Sequence, residues 1–440
     1  MAQSGKQSFS RLIIRIAIVA IALSVAVMIV ATALIRGFKN EISSKIFDFW
    51  GHIHITHTST ANLTNEEAPI SINQEFYPDL DTIQKIKYAK FRTFLGQELD
   101  DHSYETETRG GIRHIQVYAN RPGVIISEVK LETKKANGKS KTKKELEGLV
   151  FKGIGGDFDW NYLSKFLVEG EPLELKDSTM SNKIILSTET ANRLQLEVGD
   201  TTFVYFVKRG SQAKRRLIVG GLYRTGLSEY DRVVALIDIR QIQNLRGWEE
   251  DQIGGFEVFI DHIEDMDPLK DFIYLHESFP AHLFAQSIED KNRSIFQWLE
   301  MTNTNEQVLI ALMLLVAIIN MMTALLILIL ERTNMIGILK ALGQTNWSIR
   351  KIFLYYAAYI IFIGLAWGNA IGLILCFIQD KFKLVPLTEE DYYLTYAPIE
   401  INWWVVIALN LGTLAITILF LIIPSYLVTR ISPVKAIRFK

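Results

Sequence analysis

The sequence has a single cysteine, Cys376, which excludes a disulfide within the chain and a cysteine-rich metal cluster. It also lacks an excess of one charge, because 47 lysines and arginines are balanced by 48 aspartates and glutamates. Proteins that bind nucleic acid usually carry a strongly basic domain, and none stands out in this chain. Nucleic acid is therefore not expected as a partner. The compartment stays open, since one cysteine is compatible with either side of a membrane.

Complete catalytic motifs are absent as well. The sequence contains no G-x-S-x-G and no H-E-x-x-H. The tripeptide 138–140, Gly-Lys-Ser, matches the end of a phosphate-binding loop, but Thr133 stands where the first glycine of that loop belongs. The acidic residues 389–391 are explained as a solvated loop. We therefore expect no enzyme chemistry and no cofactor, so any energy for work must come from a partner.

Three histidines, His52, His54 and His57, raise the possibility of a metal site. On a strand, His52 and His54 share one face and His57 lies on the other. No carboxylate or cysteine joins them at ligand spacing. The pattern favours an edge or surface strand, and no metal is predicted.

Four uncharged apolar runs are the strongest positive signal: residues 16–35, 308–330, 352–378 and 403–428. Each has at least the roughly 20 residues with which an α-helix crosses the ~30 Å core of a bilayer. The alternative for the first run is a cleaved signal peptide, whose apolar region is roughly 7–15 residues long. The run is longer than that and continues into Arg36, Gly37, Phe38 and Lys39, which favours an uncleaved span.

The charges of the short loops predict the orientation of these spans. Lysine and arginine outnumber acids in residues 1–15, 331–351 and 429–440, whereas residues 379–402 contain two lysines and five acids. We predict that the first three segments face the cytoplasm. Residues 36–307 and the loop 379–402 are then periplasmic.

The large segment 36–307 mixes strand and helix patterns. Strands are predicted at 52–56, 113–119, 183–186, 202–208, 216–222, 233–237 and 256–260, and helices at 80–89, 188–195 and 238–245. The fold class is therefore a membrane protein with four transmembrane α-helices and a large extracytoplasmic α+β domain between helices 1 and 2. We expect this domain to have two lobes. The seven lysines of residues 130–144 predict an exposed hairpin or flexible loop.

Apolar residues at helical spacing continue beyond the first span and precede the second. They are Ile35, Phe38, Ile42, Ile46 and Phe49 on one side, and Ile295, Trp298, Leu299 and Thr302 on the other. The spacing predicts stalk helices at both ends of the α+β domain.

The basic segment 331–351, between the second and third spans, has a pattern of its own. Met335, Ile338, Leu339 and Leu342 follow the spacing of one helix face. Gly343 suits a helix end and Thr345 the start of a new helix. We predict a helix, a tight turn and a second helix, pressed between the spans. Such a loop is a place where a soluble partner grips a membrane protein.

Small and polar residues inside the spans predict helix packing. Gly364, Gly368 and Gly372 recur every four residues, which lets two helices approach closely. Asn320 and Asn369 are amides within spans, and we expect them to hydrogen-bond between helices. No aspartate, glutamate or lysine lies in the middle of a span, which disfavours an ion-coupled transporter.

Several segments resemble one family over nearly the whole chain. They are residues 36–41, 182–200, 216–225, 295–301, the ERT…GILKALG element at 331–343, residues 391–399 and the SPVKAIR ending at 432–438. The chain resembles permease subunits of the MacB/FtsX superfamily of ABC transporters, and most closely the lipoprotein-releasing LolC/LolE type. The lysine-rich segment 130–144 is not part of that pattern.

The resemblance implies a permease in the bacterial inner membrane that works by mechanotransmission. Its implied partners are two copies of a cytoplasmic ABC ATPase, a second permease (the same chain or a paralogue), a lipoprotein substrate and a periplasmic lipoprotein carrier. The segment 331–351 would be the ATPase-coupling loop, with Asn346, Trp347 and Arg350 as contacts. The full coupling set comprises Gly343, Thr345, Asn346, Trp347, Ser348, Arg350 and Lys351.

Other functions remain open at this point. A MacB-like efflux permease and an FtsX-like regulator of cell-wall hydrolases belong to the same class, although FtsX-like proteins usually have a smaller outer domain. The alternative of another class is a membrane-anchored ligand-binding or sensor protein without an ATPase. An enzyme is the weakest alternative, because no catalytic set of residues was found.

Overall fold

The computed structural model describes residues 2–61, 67–94, 97–131, 141–175, 179–208, 211–388, 392 and 394–431. The chain divides into two compact units. The helical unit comprises Met1–Glu41, Gln297–Leu387 and Tyr396–Lys440, and the sheet unit comprises Ile42–Phe296 and Thr388–Thr395. Residues 42–296 fall into one unit, and the expected division of this unit into two lobes stays a prediction.

Some predicted features lie outside the described residues. They are the tripeptide 138–140, the centre of the lysine-rich segment 130–144, the acidic residues 389–391 and the terminal segment 432–438.

The α-helices of the described chain include both very long and very short ones. In chain order they are α1 (Ala2–Trp50), α2 (Tyr77–Leu80), α3 (Trp160–Leu163), α4 (Thr188–Leu194), α5 (Ser228–Asp231), α6 (Ile239–Arg246), α7 (Met266–Tyr274), α8 (Ile288–Lys291), α9 (Arg293–Glu331), α10 (Thr333–Ala341), α11 (Asn346–Phe382), α12 (Trp403–Ser425) and α13 (Leu427–Arg430).

In the described part of the chain, four helical stretches are long and apolar enough to cross a membrane. They are Leu12–Trp50, Arg293–Glu331, Asn346–Phe382 and Trp403–Thr429. The first continues well past the apolar run 16–35, and the second begins well before the run 308–330. Both predicted stalk helices are therefore confirmed as continuations of long helices.

The strands build mainly one sheet. In chain order they are β1 (Ile53–His57), β2 (Ile70–Ser71), β3 (Lys87–Phe94), β4 (Gln97–Glu107), β5 (Ile112–Leu131), β6 (Lys141–Ile154), β7 (Leu167–Gly170), β8 (Lys183–Ser187), β9 (Thr201–Lys208), β10 (Ser211–Tyr223), β11 (Val234–Asp238), β12 (Gln252–Ile253), β13 (Gly255–Ile260) and β14 (Leu283–Ser287).

Among the described residues, ten strands form the main sheet in the order β14-β1-β13-β5-β6-β11-β8-β10-β7, with β9 pairing β10 and β5. Most pairs are antiparallel, and β11 with β6 and β10 with β8 are parallel. The sheet is thus mixed, as expected for an α+β unit. The strands β5 and β6 pair up to Leu131 and Lys141, so the described residues at both ends of the lysine-rich segment are part of paired strands.

The centre of the sheet is apolar on both faces. All residues of β11 and of β13 are buried. A strand covered on both faces carries a continuous apolar run in place of alternation, which explains the Val-Ala-Leu-Ile of β11. Glu257 is the charged exception in β13, and its partners are described below.

The strand β1 corrects one prediction. It pairs with β13 on one side and β14 on the other, so it is an interior strand. His52 and His54 are buried, at 4% and 2% exposure. The expected edge or surface strand is therefore wrong, because two hydrogen-bonded neighbours cover it.

The predicted helix 80–89 is also wrong. The helix α2 ends at Leu80, and Lys87 already begins β3. The backbone between them bonds elsewhere: the amide of Ile86 donates to the hydroxyl of Thr108, and the carbonyl of Ile83 accepts from the amide of Ile112. These distant partners replace the hydrogen bonds that a helix would have made.

The helical unit has one apolar core. It is formed by buried residues from α1, α9, α10, α11, α12 and α13, among them Ile21, Met28, Leu325, Phe353 and Leu421. Many apolar side chains on the long helices face outward, including Leu23, Phe362, Trp404 and Leu419. An exposed apolar surface of this extent is typical of helices that face lipid.

Candidate functional site

The segment 331–351 forms the predicted helix, turn and helix. Gly343 has φ +87°, and the amides of Gly343 and Gln344 donate to the carbonyls of Lys340 and Leu339. This is the double hydrogen-bonded helix ending that glycine favours. The hydroxyl of Thr345 then accepts from the amide of Ser348, 3.3 Å away, at the start of α11. The predicted helix, turn and helix are therefore confirmed. Local sequence signals were sufficient to predict them.

The apolar residues of α10 are divided between the core and the surface. Ile336 and Gly337 are buried, and Leu339 packs against the core. Met335, Ile338 and Leu342 are 37%, 53% and 77% exposed. Of the four residues at the spacing of one helix face, three are therefore exposed and only Leu339 packs inward. Apolar residues occur on nearly every side of α10, so spacing alone did not identify the buried side.

The exposed residues form a candidate docking surface. We call Met335, Ile338, Leu342 and Trp347 the apolar surface of the coupling segment. Trp347, at the start of α11, is 52% exposed. Gly343, Thr345, Asn346 and Lys351 are also exposed, and Ser348 is half-buried. Most residues of the predicted coupling set are thus accessible to a partner.

Arg350 is the exception, because it is 7% exposed. Its Nε donates to the hydroxyl of Ser425, 3.1 Å away, and its guanidinium lies 3.9 Å from the ring centroid of Tyr426. The side chain thus joins the start of α11 to the end of α12. This burial disfavours direct contact between Arg350 and a partner. The guanidinium of Arg350 also lies 5.3 Å from the ring centroid of the exposed Trp347.

Lys340 makes a second connection to the end of the chain, which the sequence analysis missed. Its ammonium donates to the carbonyls of Val428 (2.7 Å), Thr429 (3.3 Å) and Ile431 (2.8 Å). A positive charge at the end of a helix is favourable, since unpaired carbonyls collect there. We call Lys340 and Arg350 the C-terminal brace. A lysine among apolar residues on α10 was the available sequence signal.

The three glycines of α11 lie against α1. A Cβ on Gly364 would lie 2.8 Å from Ile21, and one on Gly372 would lie 3.2 Å from Ala26 and Ile29. A Cβ on Gly368 would lie 2.8 Å from the carbonyl oxygen of Ala22. Glycine therefore allows the two helices to approach almost to backbone contact.

Gly368→Ala is expected to lower the stability of the helical unit by about 1–3 kcal/mol, since the added methyl meets backbone that has no space to move. The matched control is Gly412→Ala on α12, where an added Cβ meets nothing within 4 Å. Removing that glycine is expected to be neutral or to stabilise by up to ~1 kcal/mol. Thermal unfolding in detergent measures both, and equal melting temperatures for the two variants would contradict the packing role.

Two asparagines join α11 to α12. The amide nitrogen of Asn369 donates to Asn410 (2.6 Å), and that of Asn410 donates back to Asn369 (2.9 Å). Each amide also donates to a carbonyl one turn earlier in its own helix. The expected interhelical role of Asn369 is thus confirmed. Asn410 was missed, because its partner can be recognised only once the helices are packed.

Two segments of the family resemblance meet at the other end of the helical unit. A Cβ on Gly37 would lie 2.7 Å from the carbonyl oxygen of Pro398. The amide of Glu400 donates to the carbonyl of Ala33 (3.0 Å), and Asn40 donates to the carboxylate of Glu400 (2.5 Å). Residues 33–40 of α1 therefore hold residues 398–400 through backbone as well as side-chain contacts.

The sheet unit contains a buried ion pair that the sequence analysis did not identify. The ammonium of Lys152 lies 2.7 Å from the carboxylate of Glu257, with both side chains at 1% exposure or less. Lys152 also donates to the carbonyl of Phe49 (3.1 Å), and Gln116 donates to Glu257 (2.8 Å). Burial lowers the pKa of Lys152, and the charge of Glu257 opposes that shift. Within the described residues, no three histidine, cysteine or acidic side chains are grouped for a metal ion.

Comparison with known proteins gives a family match in the helical unit. A model described as "FtsX-like permease C-terminal" matches residues 308–433. These residues include α10, the turn at Gly343, the glycines of α11 and the carbonyls that Lys340 contacts.

Relatives extend the similarity to the whole chain. The lipoprotein-releasing system transmembrane protein LolE of Haemophilus influenzae is 22% identical over 99% of this chain and 97% of its own length. LolC of Neisseria meningitidis is 21% identical over 99% of this chain and 96% of its own length. LolC of Xylella fastidiosa is 24% identical over 58% of this chain, and this match spans 65% of that relative.

A solved structure, the extracellular domain of the ABC-type transporter YknZ from Gram-positive bacteria, covers 53% of this chain at 10% identity. The TM-score is 0.29, which is too low to establish a shared fold.

Proposed function

Because this chain is a non-catalytic ABC permease of the MacB/FtsX superfamily and resembles LolC and LolE, we propose that it releases lipoproteins from the bacterial inner membrane. The observation that carries the proposal is the alignment with LolE over 99% of the chain. Two copies of a cytoplasmic ABC ATPase would supply the energy. A second permease, the same chain or a paralogue, would complete the membrane part.

The proposed orientation follows the charges of the loops. Residues 1–15, 331–351 and 429–440 face the cytoplasm, with transmembrane segments at 16–35, 308–330, 352–378 and 403–428. Residues 36–307 and the loop 379–402 face the periplasm. Lipoprotein enters between the first two spans of the paired permeases, and the periplasmic domain passes it to a soluble carrier.

The coupling segment is the proposed site of energy input. Its apolar surface is exposed and lies in a segment that is proposed to face the cytoplasm. Exposed apolar patches of this kind are typical of sites that bind another protein. The C-terminal brace ties α10 to α13 and α11 to the end of α12. A push on this surface would therefore act on several spans together.

The transmission step is proposed to use α1 and α9. Two of the boundaries between the units, at 41/42 and 296/297, lie inside these helices. A hydrogen-bonded helix is stiff along its axis, whereas a loop at the same position would absorb motion. Movement at the membrane can thus act on the sheet unit without a path of charged residues through the spans.

Gentle purification of the tagged chain followed by reconstitution tests the proposal. We expect a stoichiometric ABC ATPase to co-purify, and ATP to drive an acylated protein from proteoliposomes into the soluble fraction in the presence of carrier. Isolation without any ATPase would favour the sensor alternative. An ATPase-bound complex that exports small molecules and releases no lipoprotein would favour a MacB-like efflux permease.

A further inference from the structure

The last residue of α1 and the residue before the linker to α9 are joined by one histidine in the sheet unit. Nε2 of His54 lies 2.6 Å from the carbonyl oxygen of Trp50, the final residue of α1. Nδ1 of the same ring lies 3.3 Å from the ammonium of Lys291, the final residue of α8. Only Asn292 separates Lys291 from the start of α9.

The partners determine the protonation of the ring. A carbonyl only accepts, so Nε2 must carry the hydrogen and donate to Trp50. An ammonium only donates, so Nδ1 must present its lone pair to Lys291. Burial, and then the charge of Lys291, hold the pKa of His54 well below its usual value, so the ring is neutral. Both ring nitrogens of the neutral His54 are therefore bonded: Nε2 donates to the last residue of α1, and Nδ1 accepts from Lys291, which precedes α9.

The ring is held by a rigid surrounding. His54 pairs with Glu257 of β13 and with Gln286 of β14, so its strand is fixed on both sides. Lys152 reinforces the end of α1, because it donates to the carbonyl of Phe49 and lies 4.6 Å from the ring centroid of Trp50. The last two carbonyls of α1 are thus both bound by side chains of the sheet.

A second contact, between aromatic rings, also brings the start of α9 close to α1. The rings of Phe47 and Phe296 lie 5.6 Å apart. Lys291 is exposed overall, yet its ammonium reaches the buried ring of His54. Such an inward turn of a long charged side chain indicates a specific contact, since a free lysine extends into solvent.

We propose that His54 is a positioning residue that couples α1 to α9, so that displacement of either helix end is passed to the other through Trp50, His54 and Lys291. The functional part of this inference rests on the proposed mechanotransmission. The structural part, coupling between the two helix ends, does not depend on what the protein transports.

Hydrogen exchange of the full chain in nanodiscs tests the coupling. Lys291→Met removes one contact of the ring and leaves the other in place. We expect amide exchange to rise about 10-fold or more in residues 47–52 as well as in residues 291–296, since loss of a hydrogen bond to a charged group lowers local opening free energies to that degree. The first segment is distant in sequence from the substitution. A rise confined to residues 288–296 would overturn the proposal.

Substitutions of the ring itself separate coupling from packing. His54→Phe keeps the volume and removes both hydrogen bonds, whereas His54→Gln retains one donor and one acceptor. We expect His54→Phe to loosen both helix ends and His54→Gln to restore most of the protection. His57→Phe, on the same strand, is the matched control and should leave both segments unchanged. Equal effects of the Phe and Gln variants at position 54 would also overturn the proposal.

A functional measurement in the reconstituted complex completes the test. Lys291→Met is expected to lower the amount of substrate released per ATP hydrolysed about 3-fold or more, while the ATPase remains bound, because the contact lies far from the coupling segment. If the unmodified complex released no lipoprotein, the proposed function would fail while the exchange result still decided the coupling. Unchanged release per ATP in a variant with altered exchange would refute the role of His54 in transmission.

Discussion

Replacing Lys152 with methionine is expected to lower the free energy of unfolding of the sheet unit by about 3–5 kcal/mol, because it leaves Glu257 as an uncompensated buried charge. The carboxylate of Glu257 is 0% exposed, and Lys152 is the cation bound to it at 2.7 Å. The substitution also removes the donor to the carbonyl of Phe49. For a unit of this size the loss corresponds to a fall in melting temperature of roughly 6–20 °C.

Two further variants make this result specific. Lys152→Met combined with Glu257→Gln is expected to recover most of the lost free energy of unfolding. The double variant leaves no unpaired charge at positions 152 and 257, and the new glutamine can still accept a hydrogen bond from Gln116. The control is Lys87→Met, which breaks an exposed pair with Glu107 at 3.9 Å. Exposed pairs contribute about 0–1 kcal/mol, so its melting temperature should barely change. Similar shifts for Lys87→Met and Lys152→Met in differential scanning fluorimetry would disprove the argument.

Leu342→Asp is expected to weaken binding of the ATPase by about 30-fold or more, because a charge placed in the centre of an apolar interface must be desolvated without a partner. Leu342 is the most exposed member of the apolar surface, at 77%. It makes few contacts within the chain, so insertion and folding should be preserved. Trp347→Ala should act in the same direction by removing the aromatic side chain of that surface.

The matched control for this prediction is Leu384→Asp. Leu384 is 65% exposed and follows α11 at its other end, away from the coupling segment in sequence. The same new charge at this position is expected to leave ATPase binding unchanged. Co-purification and titration of the purified ATPase onto the permease in nanodiscs measure both variants. Normal binding by Leu342→Asp, with folding intact, would remove the apolar surface from the proposed interface.

The sequence predicted those features that depend on local chemistry. Twenty or more uncharged apolar residues specify a span, and Gly343 with Thr345 specifies a turn between two helices, wherever the rest of the chain lies. The strands predicted at 233–237 and 256–260 correspond to β11 and β13 near the centre of the sheet. The stalk helices followed from spacing that stayed helical beyond the last residue of the apolar run.

The features that were missed depend on partners distant in sequence. Lys340 looked like one more basic loop residue, because its acceptors at residues 428–431 become neighbours only in the folded chain. Lys152 and Glu257 are separated by more than a hundred residues, so their positions in the sequence do not show that they pair. The buried side of α10 and the interior position of β1 were likewise set by tertiary contacts that override local periodicity.

The order in which the chain is made gives the C-terminal brace a further consequence. Lys340 is synthesised 88 residues before Val428, the first of its acceptors. A nascent chain that has already inserted its first three spans therefore still lacks the contacts that fix α10. The contacts of the C-terminal brace form only when residues 425–431 are present, so on the proposed function we expect a truncated polypeptide to present a loosely held surface to the ATPase. We therefore expect assembly with the ATPase to require a chain that extends through α13.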